Sequence, residues 1–218
     1  MKLLNEPERL SGLFLMLGGA SLLFIIGEYV TITIGAPGPG DVLARVAYYD
    51  ANYPDLARGW HFEIVAMACL GAGALTRLNT PGKGGWALAA MGVAAVFPMY
   101  PMMIGGYPAA FDAAQDSTVA YDVVNTIVVE VFHAGNMLAC FGLALGLWLE
   151  RGAPGQRAPG WVLILGAVSN GIAGLGFLAL HAGAKLEMAM IGPFGLVAFL
   201  ALAVFGAFQA FKRVPVPA

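Results

Sequence analysis

Residues 117–150 read STVAYDVVNTIVVEVFHAGNMLACFGLALGLWLE. Most of the stretch is apolar enough to cross a bilayer, yet it carries Tyr121, Asp122, Asn125, Glu130, His133, Asn136 and Cys140. At about 100° per residue, Asp122, His133, Asn136 and Cys140 fall within ~60° of one another, with Asn125 and Thr126 at the margins and Glu130 to one side. Ionisable groups are costly in lipid, so the stripe is expected to face protein or water. That requirement makes the stretch one helix of a membrane bundle.

Composition agrees. Of 218 residues, 59% are hydrophobic and 11% charged, whereas a soluble domain carries about 25% charged residues. Mean hydropathy is +0.77. The net charge of −2 and the lack of a basic tract give no reason to expect a nucleic-acid partner. Cys69 and Cys140 both sit inside apolar runs, which argues against a disulfide framework.

Working outward, the chain divides into six apolar runs. Helix 1 is expected over Leu10–Ile34, too long for a signal-peptide core. A connection from Gly35 to Trp60 follows, in which Asp41 is placed to cap a short amphipathic helix through Asp50 at the membrane interface. Helix 2 is expected over about Trp60–Leu78 and helix 3 over Gly85–Gly105, kinked by Pro98 and Pro101. Gly106 to Asp116 reads as an acidic loop, and residues 117–150 form helix 4. Helix 5 covers about Gly160–Ala182 and helix 6 about Glu187–Phe211. Each run is long enough to cross a ~30 Å hydrocarbon core at 1.5 Å per residue.

The cations test this count. Lys2, Arg9, Arg77, Lys83, Arg151, Arg157, Lys212 and Arg213 fall on one side, against Arg45, Arg58 and Lys185 on the other. Positive charge accumulates on the cytoplasmic side. The expected architecture is therefore all-α and polytopic: one domain over residues 1–218, six transmembrane helices in one bundle, and both termini cytoplasmic. The expected location is the plasma membrane, with the lipid bilayer as the main partner.

Counting from the cytoplasmic anchors sets the depth of the polar residues. Glu28 lies ~28 Å above Arg9, Glu63 ~21 Å above Arg77, and His133 ~25 Å above Glu150. Tyr100, His181 and Glu187 also belong to the outer half, and Asn170 lies near the middle. The expectation is an outward-facing polar pocket in the outer leaflet half above a dry, apolar base. Its candidate ligand-binding residues are Glu28, His61, Glu63, Tyr100, Asn125, Asn136, Asn170 and His181.

Three chemistries suit such a pocket. The first is binding of a small or lipophilic ligand, or an accessory or sensory role in a homo-oligomer or larger membrane complex. The second is acid–base catalysis on an isoprenoid-like, lipid-soluble substrate. It would use Glu130, His133 and Asp122, since burial raises a carboxyl's pKa into the working range. The third is transport of a small solute or protons, against which stands an inner half without polar residues to continue a path. His61, His133 and His181 invite a metal or haem, but no HxxxH or ExxH spacing supports either, so no metal is assigned and the cofactor is left unspecified. Gly142 and Gly146 form a GxxxG pair suited to tight helix packing.

Three stretches carry a resemblance. They are Arg9-Leu10-Ser11-Gly12-Leu13, the long first loop with Asp41, and Leu147-Trp148-Leu149-Glu150-Arg151-Gly152 continuing to Pro159-Gly160-Trp161. Together they resemble a bacterial family of six-helix integral membrane proteins described as a domain of unknown function. The resemblance implies six helices in one domain and no catalytic residues.

Overall fold

The computed structural model describes residues 6–38, 40–186 and 188–211, with backbone alone for 28–30, 33–34 and 188–189. Glu187 and the Glu28 side chain lie outside the described residues. The described residues are helical, with no strand. The helices are α1 (Pro7–Ile34), α2 (Val42–Ala51), α3 (Tyr53–Leu75), α4 (Lys83–Val96), α5 (Met99–Pro101), α6 (Tyr107–Ala113), α7 (Val119–Glu150), α8 (Gly160–His181) and α9 (Met188–Phe211), with a π-helical segment, Met102–Gly106, between α5 and α6.

Local chemistry explains most of the boundaries. Pro7 opens α1 at the position where a missing N–H costs nothing. The Asp41 carboxylate accepts a hydrogen bond from the Ala44 N–H (3.1 Å) and so caps α2, as its place in the sequence predicts. Pro54 stands in the first turn of α3. Gly183, at φ 83°, follows the end of α8 in the left-handed conformation that favours glycine. The acidic loop expected from Gly106 to Asp116 is instead mostly helix α6, because Pro108 falls in its first turn, where proline starts helices rather than breaking them.

Five helical stretches are long and apolar enough to cross a membrane: Pro7–Gly27, Lys83–Ala113, Val119–Glu150, Gly160–His181 and Met190–Phe211. The expected sixth, α3, is 23 residues long but is not among them. Its first half carries Asp55, Arg58, His61 and Glu63.

Neighbours in the chain are neighbours in space. α1 packs on α3, α3 on α4, α4 on α7, α7 on α8 and α8 on α9, which returns to α1. The closest approach is α4 on α7. Gly85, Ala89, Gly92 and Val96 of α4 meet Gly135, Ala139, Gly142 and Gly146 of α7, at alternating spacings of three and four residues. A methyl group added at Gly85, Gly92 or Gly142 would collide with the facing backbone. The GxxxG pair thus serves packing within the chain, as small residues do where lipid offers no hydrophobic push.

The two ends of this ring differ. At the end that holds both Pro7 and Phe211, the sequence predicts a dry base, but the structure buries charge there. Arg77, just past α3, is 4% exposed and Glu150, the last residue of α7, is 1% exposed. The Arg77 guanidinium donates through Nε (2.8 Å) and a terminal nitrogen to the Glu150 carboxylate, which also accepts from the Thr80 hydroxyl (2.6 Å) and the Trp86 indole N–H (2.5 Å). The same guanidinium lies over the rings of Trp86 and Phe205, at 5.4 and 5.0 Å from their centroids. Alongside, Arg157 donates to the Gln209 carbonyl (2.8 Å) and stands 3.5 Å from Glu8, joining the start of α1 to the end of α9.

Removing one member of a buried ion pair leaves the other charge unpaired and costs roughly 3–5 kcal/mol. Glu150→Gln is therefore expected to lower the thermal unfolding midpoint of the purified protein markedly. Glu8→Gln, at an exposed partner of the same belt, is expected to shift it little. Equal shifts for the two would contradict the role given to Glu150.

Candidate functional site

The polar residues expected to line one pocket separate into three groups. The first is exposed. Glu130 on α7 pairs with His181 at the end of α8 (Oε2 to Nδ1, 2.8 Å), with 53% and 44% of the two side chains exposed. Counted from Glu150, Glu130 stands ~30 Å up, at the outer edge of a hydrocarbon core rather than deep within it. Asp122 is exposed and accepts from the Thr118 hydroxyl (3.2 Å). His61 is exposed and bonds the Ala57 carbonyl of its own helix (2.6 Å).

The second group bonds to a helix backbone or to a tyrosine of a neighbouring helix, or lies beside aromatic rings. Asn136 donates to the Phe132 carbonyl (2.9 Å), and Asn125 accepts from the Tyr107 hydroxyl (3.0 Å). Asn170, fully buried, donates to the Gly166 carbonyl (2.8 Å), while its side-chain oxygen has no partner. His133 packs beside the rings of Phe132 and Phe177, which also meet each other, with a buried Nδ1 that has no partner, and within electrostatic reach of Glu130 and His181. Among the described residues, no three histidine, cysteine or acidic side chains converge as metal ligands do.

The third group is the candidate site. Glu63 of α3 is 9% exposed and Tyr100 of α5 is 1% exposed. The Tyr100 hydroxyl lies within electrostatic reach of the Glu63 carboxylate and is itself buried without a hydrogen-bond partner. Each partner owes its place to a local feature. Glu63 lies on the inward face of α3, in register with Trp60, Ala66, Met67 and Leu70. Tyr100 lies where α4 breaks: neither Pro98 nor Pro101 supplies an N–H, and the π-helical segment Met102–Gly106 follows directly. A π segment adds a residue to the turn and is frequent at functional sites. Sequence reasoning identified both residues and their depth but not their pairing, which requires the distance between α3 and α5.

Aromatic rings cover the outer side of this pair. Trp60 stacks on Tyr107 (centroids 5.9 Å apart) and Tyr107 stacks on Phe111 (5.6 Å), while Tyr53 meets Trp60 and Phe111 edge-on. Tyr121 of α7 packs against Tyr107 and Phe111. The Tyr53 hydroxyl donates to the Ile104 carbonyl inside the π segment (2.5 Å), where regular helical hydrogen bonding is interrupted. The sequence suggests an open outward mouth at this level. The described residues place a stack of rings there instead.

Two grooves open elsewhere. One, of about 630 Å³, runs along the outer seam between α3 and α4, and the other, of about 330 Å³, lies on the outer face of α7 and α8. Both are lined by apolar side chains, and neither includes any of the polar residues above.

These features define a class: a helical integral membrane protein with a buried acid–phenol pair beneath an aromatic cap. No protein-family model, no curated protein and no solved structure matches this chain.

The exposed Glu130–His181 pair is expected to contribute only on the order of 0–1 kcal/mol, as solvent-accessible ion pairs do. Thermal unfolding of Glu130→Gln in detergent micelles checks this. A loss as large as that of Glu150→Gln would show that Glu130 acts as a buried group.

Proposed function

We propose that this protein is a polytopic plasma-membrane protein that binds a lipophilic molecule by its polar end, at Glu63 and Tyr100. The observation that carries the reading is a carboxylate and a phenol buried together within the bundle beside a π-helical break. A buried carboxylate is tolerated in lipid surroundings only with a partner, and intramembrane ionisable residues mark substrate or ion sites by default. Glu63 can accept a hydrogen bond when charged and donate one when protonated, and Tyr100 can do both. Such a pair suits a hydroxyl, carbonyl or carboxyl group on an otherwise apolar molecule.

The acid–base reading of Glu130, His133 and Asp122 has less support. Glu130 and Asp122 are exposed, Glu130 pairs with His181 and Asp122 with Thr118, and, among the described residues, no cavity encloses them with a substrate.

In this proposal α3 is a sixth crossing. It lies between α1 and α4, both spanning candidates, and its charged first half stands at the outer end. Among the described residues, Arg9, Arg77, Lys83, Arg151 and Arg157 belong to the end holding Pro7 and Phe211, against Arg45, Arg58 and Lys185 at the other, which supports a cytoplasmic position for the first. In a variant lacking Cys69 and Cys140, a membrane-impermeant maleimide applied to intact cells is expected to label Gln115→Cys and to spare Asn79→Cys. The reverse pattern would contradict the orientation.

Binding is checked by extracting the purified protein with organic solvent and comparing what it carried by mass spectrometry. Wild type is expected to hold one lipophilic small molecule near stoichiometry. Loss of one hydrogen bond weakens binding by up to about tenfold, so Tyr100→Phe and Glu63→Gln are expected to retain much less of it while remaining folded. The reading fails if all three proteins carry the same bulk membrane lipids and nothing else.

A further inference from the structure

The groove along α3 and α4 adjoins the Glu63–Tyr100 pair through one side chain. Its walls are Ala68, Ala72 and Leu75 of α3 and Ala90 and Ala94 of α4, and Phe97 closes its upper end. The Phe97 ring stands edge-on to Tyr100, with centroids 5.9 Å apart. Phe97 therefore touches both the apolar groove and the buried ring of Tyr100. The groove follows from residue size: alanines line a seam where larger side chains would meet across it.

We propose that this groove seats the apolar chain of the ligand, which enters sideways from the bilayer, and that the Phe97 ring turns aside to let its polar end reach the pair. The proposal rests on the reading of Glu63 and Tyr100 given above and names the ligand class and the route. Three observations converge on it. The outer approach to the pair is filled by the stacked rings of Trp60, Tyr107 and Phe111, whereas the α3–α4 seam opens on the face that would meet lipid. Exposed Leu75 and Met91 mark that face as one solvated by acyl chains rather than water.

Depth selects the ligand. Glu63 stands ~21 Å above Arg77, and so ~9 Å below the outer edge of a ~30 Å core. A phospholipid headgroup stands outside the core and does not reach that level. A single chain ending in a small hydrogen-bonding group does. From Ala68 to Leu78 the groove offers ~15 Å for the chain, directed away from the polar pair toward the Arg77 end. The class is a long-chain alcohol, acid or carbonyl compound with one unbranched or isoprenoid-like tail.

The test uses the full chain in proteoliposomes and two photoactivatable probes. One is a C16 alcohol with a diazirine at mid-chain, and the other is a phosphatidylcholine with the same group in one acyl chain. Labelled peptides are mapped by mass spectrometry. The alcohol is expected to label the α3–α4 seam up to about tenfold more than the α7–α8 face around Leu145 and Trp148, the factor a hydrogen bond is worth. The phospholipid is expected to label both faces alike. Ala94→Trp and Ala68→Trp, at exposed groove walls where added bulk leaves the core intact, are expected to abolish the excess. Tyr100→Phe is expected to reduce it severalfold.

Equal labelling of the two faces by the alcohol overturns the proposal, as does an excess indifferent to Tyr100→Phe. Preferential labelling of the seam by the phospholipid overturns the single-chain class. If wild type carries a co-purified lipophile that Tyr100→Phe loses, but the seam shows no excess, the route fails and the binding reading stands.

Discussion

The ion pair between Arg77 and Glu150 is the constraint on which the rest depends. It ties the turn after α3 to the last residue of α7, and the indole of Trp86 brings the first turn of α4 into the same knot. With that end fixed, the small-residue seam holds α4 against α7 along its length, so the two backbones touch. α3 belongs to the knot only at its end and packs mainly on α1. Above the knot, α3 and α4 are free to part, and the alanines between them leave the groove open. A charged pair would be a poor choice in mid-membrane, because desolvation opposes the attraction. Near a helix end, with four hydrogen bonds into one carboxylate and two rings against the guanidinium, it is well compensated.

The outer half obeys a different rule. Pro98 and Pro101 interrupt the ladder of hydrogen bonds, and the π segment inserts an extra residue. The helix that resumes at Tyr107 is rotated by about 100° relative to an uninterrupted one, the increment of a single residue. Tyr107 and Phe111 then meet Trp60, Tyr53 and Tyr121 in one stack. The break therefore serves two ends: it turns rings into the cap and leaves Tyr100 facing Glu63 beneath it. The excess length of α7 fits this division, since 32 residues span ~48 Å against a core of ~30 Å. Its first turns rise into the cap and hold Tyr121.

What the sequence makes legible is local. Apolar runs bounded by proline and glycine locate the long helices, and Asp41 announces its own cap. Gly106-Tyr107-Pro108 misleads, because the same residues that end one helix can begin another, and only the neighbours of Tyr107 decide which. Arg77 and Glu150 read as anchors at the water boundary because each stands at a helix end, and nothing in a string of residues pairs positions that far apart. Glu130 and His133 share a helix at a spacing that suggests a common pocket, yet the partner of Glu130 comes from the end of α8. Glu63 and Tyr100 are recognisable as buried polar groups at one level, though not as a pair. The groove is the least legible feature, since it consists of space that alanines fail to fill. Ser11, Gly12 and Glu150 all pack near the Arg77 end, so they speak of how the bundle is held rather than of what it binds.

The most direct test of the central claim is a cryo-electron microscopy map of the protein in lipid nanodiscs, at a resolution that separates side chains. The account predicts continuous elongated density in the α3–α4 groove, passing Phe97 and ending within hydrogen-bonding distance of Glu63 and Tyr100. A groove holding only the broken density of annular lipid, with Glu63 and Tyr100 bonded to each other and to nothing else, would contradict it.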